Sequence, residues 1–237
     1  MARRLFPAAL LVGLFGVAGC SDDQTAAPMG TSAPRAEPVA APVPHHVGTA
    51  EQIDDGAAVP GFSAFRETLR GIVARRDTAA LLEIVAPTAR LSYGDDPGGP
   101  DGFRAMWFSG TPSGGDAVWE VLSRVLTGGS VDEDGAVTVP AVGGYVPEGL
   151  DPFATVAVVR DRVPARVSAT DTTLVGTVGH AYLPVRGPVA NGVWTVTLPD
   201  GQTAAVAAAD ALSPVGYRAV FWDEGAGWQL HTFLQGD

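Results

Sequence analysis

Cysteine is all but missing from this chain: of 237 residues, only Cys20 carries a thiol. The folded part therefore has no internal disulfide, no thiolate nucleophile and no cysteine set for zinc, which excludes cysteine peptidases and zinc ribbons. Lysine is absent, so all fifteen basic residues are arginine, against 26 acids and a formal net charge of -11. That balance disfavours nucleic acid and anionic lipid headgroups as partners. Histidine is scarce too. His45 and His46 fall in a Pro/Ala-rich stretch, leaving His180 and His231 as the only folded candidates for a general base at neutral pH. No Gly-x-Ser-x-Gly, His-Glu-x-x-His or phosphate-cradling Gly-rich loop occurs, so the common signatures of nucleophilic, zinc and nucleotide chemistry are missing. Nor is there an apolar run of the roughly 20 residues that a spanning helix needs.

The apolar run that is present lies at the N-terminus. Arg3 and Arg4 precede an apolar segment from Leu5 to Ala18, and small residues lead to Cys20, the charged, hydrophobic and cleavage order of a secretory signal. Val17-Ala18-Gly19-Cys20 resembles the lipobox of bacterial lipoproteins at all four positions. The resemblance implies that residues 1–20 are a signal peptide, that Cys20 becomes an acylated N-terminus, and that the chain is held to a membrane facing the periplasm or exterior. Ser21 at the next position implies the outer membrane if the host is diderm. Residues 21–59, rich in Ala, Pro, Gly and Thr, are expected to form a disordered tether.

Order is expected from Pro60. Phe62, Phe65, Leu69, Ile72 and Val73 recur at helical spacing, with Arg66, Glu67, Arg70, Arg75 and Arg76 filling the other face. Asp77 is read as the cap of a second helix through Leu81, Leu82 and Val85, ended by Pro87, with a strand over Ala89 to Tyr93. Asp101 and Asp116 are read as caps of two more helices carrying Phe103, Met106 and Trp107, then Val118, Trp119, Leu122, Val125 and Leu126. Past Gly129 the pattern changes to short β-prone runs: Ala136 to Val139, Thr155 to Arg160, Thr173 to Val178, Val193 to Leu198, Ala204 to Ala207, Tyr217 to Trp222 and Trp228 to Phe233. Helices first and strands later give an α+β class. The expected division is a helical region over 60–150, a small barrel over 151–213, and a C-terminal hairpin over 214–237 that packs on the helical region and pairs near Leu91.

Val163-Pro164-Ala165-Arg166, then Leu174-Val175-Gly176-Thr177-Val178, then Gly192-Val193-Trp194 with the turn Pro199-Asp200-Gly201 resemble bacterial SH3-like (SH3b) domains over Val163 to Leu212. Ala204-Ala205-Val206 stands where those domains have Gly-Trp-Val. The resemblance places Tyr182, Arg186 and Trp194 near the exposed groove and makes them the candidate ligand-binding residues. Ser213 to Phe221 and Gly227 to Leu230 are similar to SH3-containing bacterial envelope proteins. The flanking parts are also similar to cone-shaped NTF2-like folds, in which helices enclose a curved sheet.

The remaining polar residues have plainer roles. Asp95, Asp96 and Asp101 crowd one loop without the spacing of a calcium loop, and Asp132-Glu133-Asp134-Gly135 lacks the closing Glu of an EF-hand, so both are read as turns and caps. His231, alternating with Leu230 and Thr232, is read as an exposed strand residue, and His180 as a loop residue. The aromatics are read as core. The sequence thus points to a non-enzymatic, lipid-anchored binding module for a peptide, peptidoglycan or envelope protein, with no catalytic residue, metal or cofactor. Two rivals remain: an NTF2-like pocket acting as an enzyme, with His231 or an acid of the Asp95 loop as base, or the same pocket acting as a small-molecule carrier.

Overall fold

The computed structural model describes residues 52–109 and 115–236, so the lipobox with Cys20, the His45-His46 pair and most of the tether lie outside the described residues. Order starts earlier than Pro60. A one-turn 3₁₀ helix spans Asp55–Ala57, and the segment before it is bound on several sides: Ser130 N donates to Ile53 O, and Gln52 Nε2 donates to Val159 O.

The helical spacing yields α1 (Phe62–Arg75), which buries Phe62, Leu69, Ile72 and Val73. Arg66, expected on the solvent face, is buried with them. It stands four residues after Phe62 and three before Leu69, within the apolar stripe, and Asp54 neutralises it. Asp77 caps α2 (Thr78–Glu83) by accepting from Ala80 N. This helix stops short of Val85. The chain turns at once into β1 (Val85–Arg90), four residues before the expected strand, and Pro87 is tolerated because β1 is an edge strand.

Entry into α3 (Gly99–Phe108) uses two glycines in place of the expected Asp101 cap. Gly98 and Gly99 have φ of 59° and 61°, and a Cβ on either would meet a β1 carbonyl, Ala89 O at 2.6 Å or Pro87 O at 2.5 Å. Asp96 braces the turn by accepting from Gly98 N at 2.7 Å and from Ser92 Oγ at 2.6 Å, and these bonds hold its carboxyl below the usual range. Asp101 sits in the first turn, where its charge favours the helix dipole. Similarly, Gly115 caps α4 (Asp116–Val125), and Asp116 is its first residue.

After Gly129 come β2 (Val131–Glu133), β3 (Ala136–Val139), β4 (Thr155–Val158), β5 (Val163–Arg166), β6 (Leu174–Val178), β7 (Ala181–Pro184), β8 (Val193–Thr197), β9 (Thr203–Ala207), β10 (Ala211–Leu212), β11 (Arg218–Asp223) and β12 (Trp228–Leu234), of which β2, β5, β7 and β10 fall outside the seven expected runs. The fold is α+β. A five-stranded sheet runs β1-β12-β11-β3-β2, with β1 and β12 parallel and Val85 opposite Leu230. Since β3 pairs directly with β11, residues 140–217 leave and re-enter the sheet between two neighbouring strands. Within that excursion lie two smaller sheets, β10-β4-β7 and β6-β5-β9-β8, bridged at Val185 and Val196 and sharing one apolar cluster that includes Val156, Leu183, Val196 and Val206.

The helices cover the five-stranded sheet with aromatic contacts. Phe62 meets Trp228 edge-on at 4.9 Å, Phe65 meets Phe221 at 5.3 Å, and Phe103 stacks on Phe233 at 5.7 Å. These side chains fill the space between helix and sheet. A smaller cluster of Val142, Ala157, Val159, Tyr182 and Leu212 joins the β10-β4-β7 sheet to the turn after β3. At Gly128 a Cβ would meet Pro140 at 2.4 Å and Leu212 at 2.5 Å, which shows how closely the two parts approach.

Candidate functional site

Polar and aromatic side chains collect along the seam between the helical layer and the excursion. A cavity of about 470 Å³ opens there between the end of α4, strands β8 and β10 of the two small sheets, and the chain entering β11. Trp194, half-buried on β8 opposite Val206, forms part of its wall with Val189 and Leu212; Tyr217 and Arg124 line it from the helical side. Tyr217 is itself packed, stacking on Phe233 at 5.3 Å and lying 5.4 Å from Trp107, and burial pushes its phenol above the usual value.

Tyr182 lies elsewhere on the seam. Its side chain is buried on β7 opposite Ala157, and it lines a smaller cavity of about 140 Å³ with Gln52, Asp54, Arg66 and Tyr145. Its phenol is raised by burial and, secondarily, by the nearby Tyr145. Arg186 lines neither cavity and is exposed: its Nε donates to Thr197 Oγ1 at 3.0 Å and its backbone N to Thr195 O, fastening the chain after β7 to β8. The three candidate ligand-binding residues therefore do not meet at one point. Trp194 and Tyr182 face separate cavities of one seam, and Cys20 lies outside the described residues.

The expectation for His231 is corrected. It is 4% exposed: Val220 pairs with Thr232 and Phe221 with Leu230, leaving His231 as the extra residue of a bulge, where the Trp222 ring lies over it. Its ring stacks on Trp222 at 3.5 Å, its Nε2 is buried without a partner, and burial pulls its pKa below 6.5 against a smaller opposing effect of Glu224. His180 pairs with Asp161 at 2.9 Å at the turn between β6 and β7.

One cluster escaped the sequence reading. Arg70, Arg76, Arg124 and Arg160 line an open groove of about 930 Å³ between α1, α4 and the chain after β4. Two belong to α1 and its cap, one to α4 and one to the excursion, so only the packing of those elements brings them together. Among the described residues, no group of three or more His, Cys, Asp or Glu is placed to hold a metal, and no helix is long and apolar enough to cross a membrane. Compared with family profiles, curated proteins and solved structures, the chain matches none.

Proposed function

We propose that this chain is a lipid-anchored cell-envelope protein whose SH3-like unit, docked on a helical α+β layer, binds a peptide, peptidoglycan or another envelope protein at the Trp194 cavity. Supporting the SH3-like reading, the three quoted elements each become a strand, β5, β6 and β8, and the two small sheets, though not a closed barrel, share one apolar core. The observation that carries the binding reading is Trp194, a half-buried indole in the wall of a 470 Å³ cavity that Tyr217 and Arg124 also line, so an aromatic face and a cation open onto one space. The rival readings draw less support. Phe62, Phe103, Phe221 and Phe233 fill the space that an NTF2-like carrier needs open, and His231 has its Nε2 sealed from solvent.

Two measurements test the proposal. Cys20→Ala should abolish fatty-acid incorporation, and continued labelling would refute the anchor. Isolated sacculi and immobilised envelope proteins should retain the wild-type chain and lose Trp194→Ala at an unchanged melting temperature. Equal retention of the two would remove the cavity from the reading.

A further inference from the structure

The smaller cavity of the seam, about 140 Å³, has charged, neutral polar and apolar groups on its wall. The charged ones are already matched. Arg66 and Asp54 meet through a pair of hydrogen bonds, and Ser130 Oγ donates to the same carboxylate at 2.6 Å. Arg70, the remaining cation of the wall, pairs with Glu67 and donates to Leu126 O at 3.1 Å. No net charge is left there to select an ion.

The neutral polar groups are not matched. Tyr182 is 5% exposed, yet its hydroxyl makes no hydrogen bond with any described residue. Nor is that hydroxyl sealed in the way that Arg66 Nε is, so it opens onto space, and the space that Tyr182 lines is this cavity. A hydroxyl withdrawn from bulk water without a partner is a group that a guest can satisfy. Tyr145 brings a second phenol without a hydrogen bond, from the turn after β3. Gln52 donates Nε2 to Val159 O at 3.2 Å, which orients its amide and leaves the amide oxygen as an acceptor. Beside these groups, Val142 and Val159 supply apolar surface. A bound water needs only about 10–15 Å³, so the cavity has room for a larger guest. Solvent reaches the side chains of Asp54 and Tyr145, which gives that guest a way in.

Two phenols and an amide oxygen beside an aliphatic patch match a molecule with hydroxyls around its rim and C–H groups on its face. We propose that this cavity is a second binding site, which takes the ring of a neutral sugar, with Tyr182 and Tyr145 bonding its hydroxyls. The site shares no lining residue with the Trp194 cavity and does not depend on what binds there.

The test titrates the full-length chain with glucose and with N-acetylglucosamine, read by saturation-transfer NMR, with glycerol as a control that has hydroxyls and no ring. At least one of the sugars should bind saturably, with an affinity that added salt leaves unchanged, because no ion pair forms. Tyr182→Phe keeps the ring and removes one oxygen. It should weaken binding about tenfold, the loss of one hydrogen bond, at an unchanged melting temperature, since that hydroxyl has no partner in the fold. Tyr145→Phe should act in the same direction, and Trp194→Ala should leave sugar binding as it was. Absence of saturable binding by both sugars, equal binding of glycerol, or unchanged affinity in Tyr182→Phe would each overturn the proposal. So would a lower melting temperature in Tyr182→Phe, which would give the hydroxyl to the fold, or loss of sugar binding in Trp194→Ala alone, which would move the sugar to the other cavity. Trp194-dependent retention on sacculi without sugar binding here would remove this site and leave the proposed function standing.

Discussion

The carboxylate of Asp54 and the guanidinium of Arg66 meet through two parallel bonds, Arg66 Nη2 donating to Asp54 Oδ2 at 2.8 Å and Nη1 to Oδ1, while Ser130 Oγ donates to the same carboxylate at 2.6 Å. One acid thus ties the segment before α1 to the middle of that helix and to the turn before β2. The pairing explains why a residue inside an apolar stripe carries charge: removed from water, the guanidinium keeps a fixed partner. Beside it, Gly129 has φ of 70°, and a Cβ there would meet Ile53 O at 2.2 Å.

Asp54→Ala should therefore lower stability by about 1–2 kcal/mol, less than for a fully buried pair because the Asp54 side chain is 37% exposed and water screens it. Its bonds to Arg66, the largest influence, hold the Asp54 carboxyl below the 3.8 of a free carboxylate. A depressed acid contributes stability that is present above its unfolded pKa and lost as pH falls through the folded value. Urea midpoints should thus separate wild type from variant at pH 6, and the gap should shrink as pH falls below 3.8. A constant gap across that range would contradict the assignment.

His231 provides the opposite test at higher pH. Burial depresses its folded pKa below 6.5, so the unfolded chain binds the proton more readily and the native state is penalised as pH falls below about that value. The wild-type chain should lose stability between pH 7.5 and 5.5 faster than His231→Phe, whose ring can still lie against Trp222. Parallel curves for the two proteins would mean that this imidazole does not titrate with folding.

How far the sequence carried the reading can be judged at such positions. The period of 3.6 located α1 and α4, and Asp77 announced its own cap, because both signals are local. Arg66 was open to the same reasoning, since its spacing from Phe62 and Leu69 already put it among the buried positions. His231 was not, because period-2 alternation holds only without a bulge, and the bulge depends on strands β1 and β11 on either side. The edge position that lets Pro87 sit in a strand is likewise set by a partner some 140 residues away. For the same reason the arginine groove had no signature along the chain. Trp194 and Tyr182 stood out as aromatics near a predicted barrel, but which cavity each faces follows from the docking of the excursion on the helices.

Core aromatics should divide sharply by position. Phe221, fully buried between α1 and the sheet, should cost about 3–5 kcal/mol on truncation to Ala, as lost transfer energy and a residual cavity combine. Phe153, 63% exposed in the loop before β4, should change stability by less than about 0.5 kcal/mol under the same substitution. Denaturant unfolding of the two variants checks the contrast, and similar losses would argue that the Phe153 loop is covered in solution.

The heaviest structural demand falls on the C-terminal hairpin. β12 lies between β1 and β11, and β11 lies between β12 and β3, so deletion from Ser213 onward would leave β1 on one side and β2-β3 on the other with no strand between them. Phe62, Phe65 and Phe103 would lose their contacts to Phe221, Trp228 and Phe233 at the same time. Burying each large apolar side chain is worth about 1.5–3 kcal/mol, and the margin of a whole domain is about 5–15 kcal/mol, so the helical layer should not survive the loss of several together. The truncated chain should lack a cooperative melt and be digested rapidly across residues 60–140, whereas the excursion, which keeps its own core of Val156, Leu183, Val196 and Val206, should resist longer. A cooperative transition near the full-length temperature, with α1 and α4 still protected from protease, would show that the sheet closes without its central strands and would dissolve the link between the terminal hairpin and the helices.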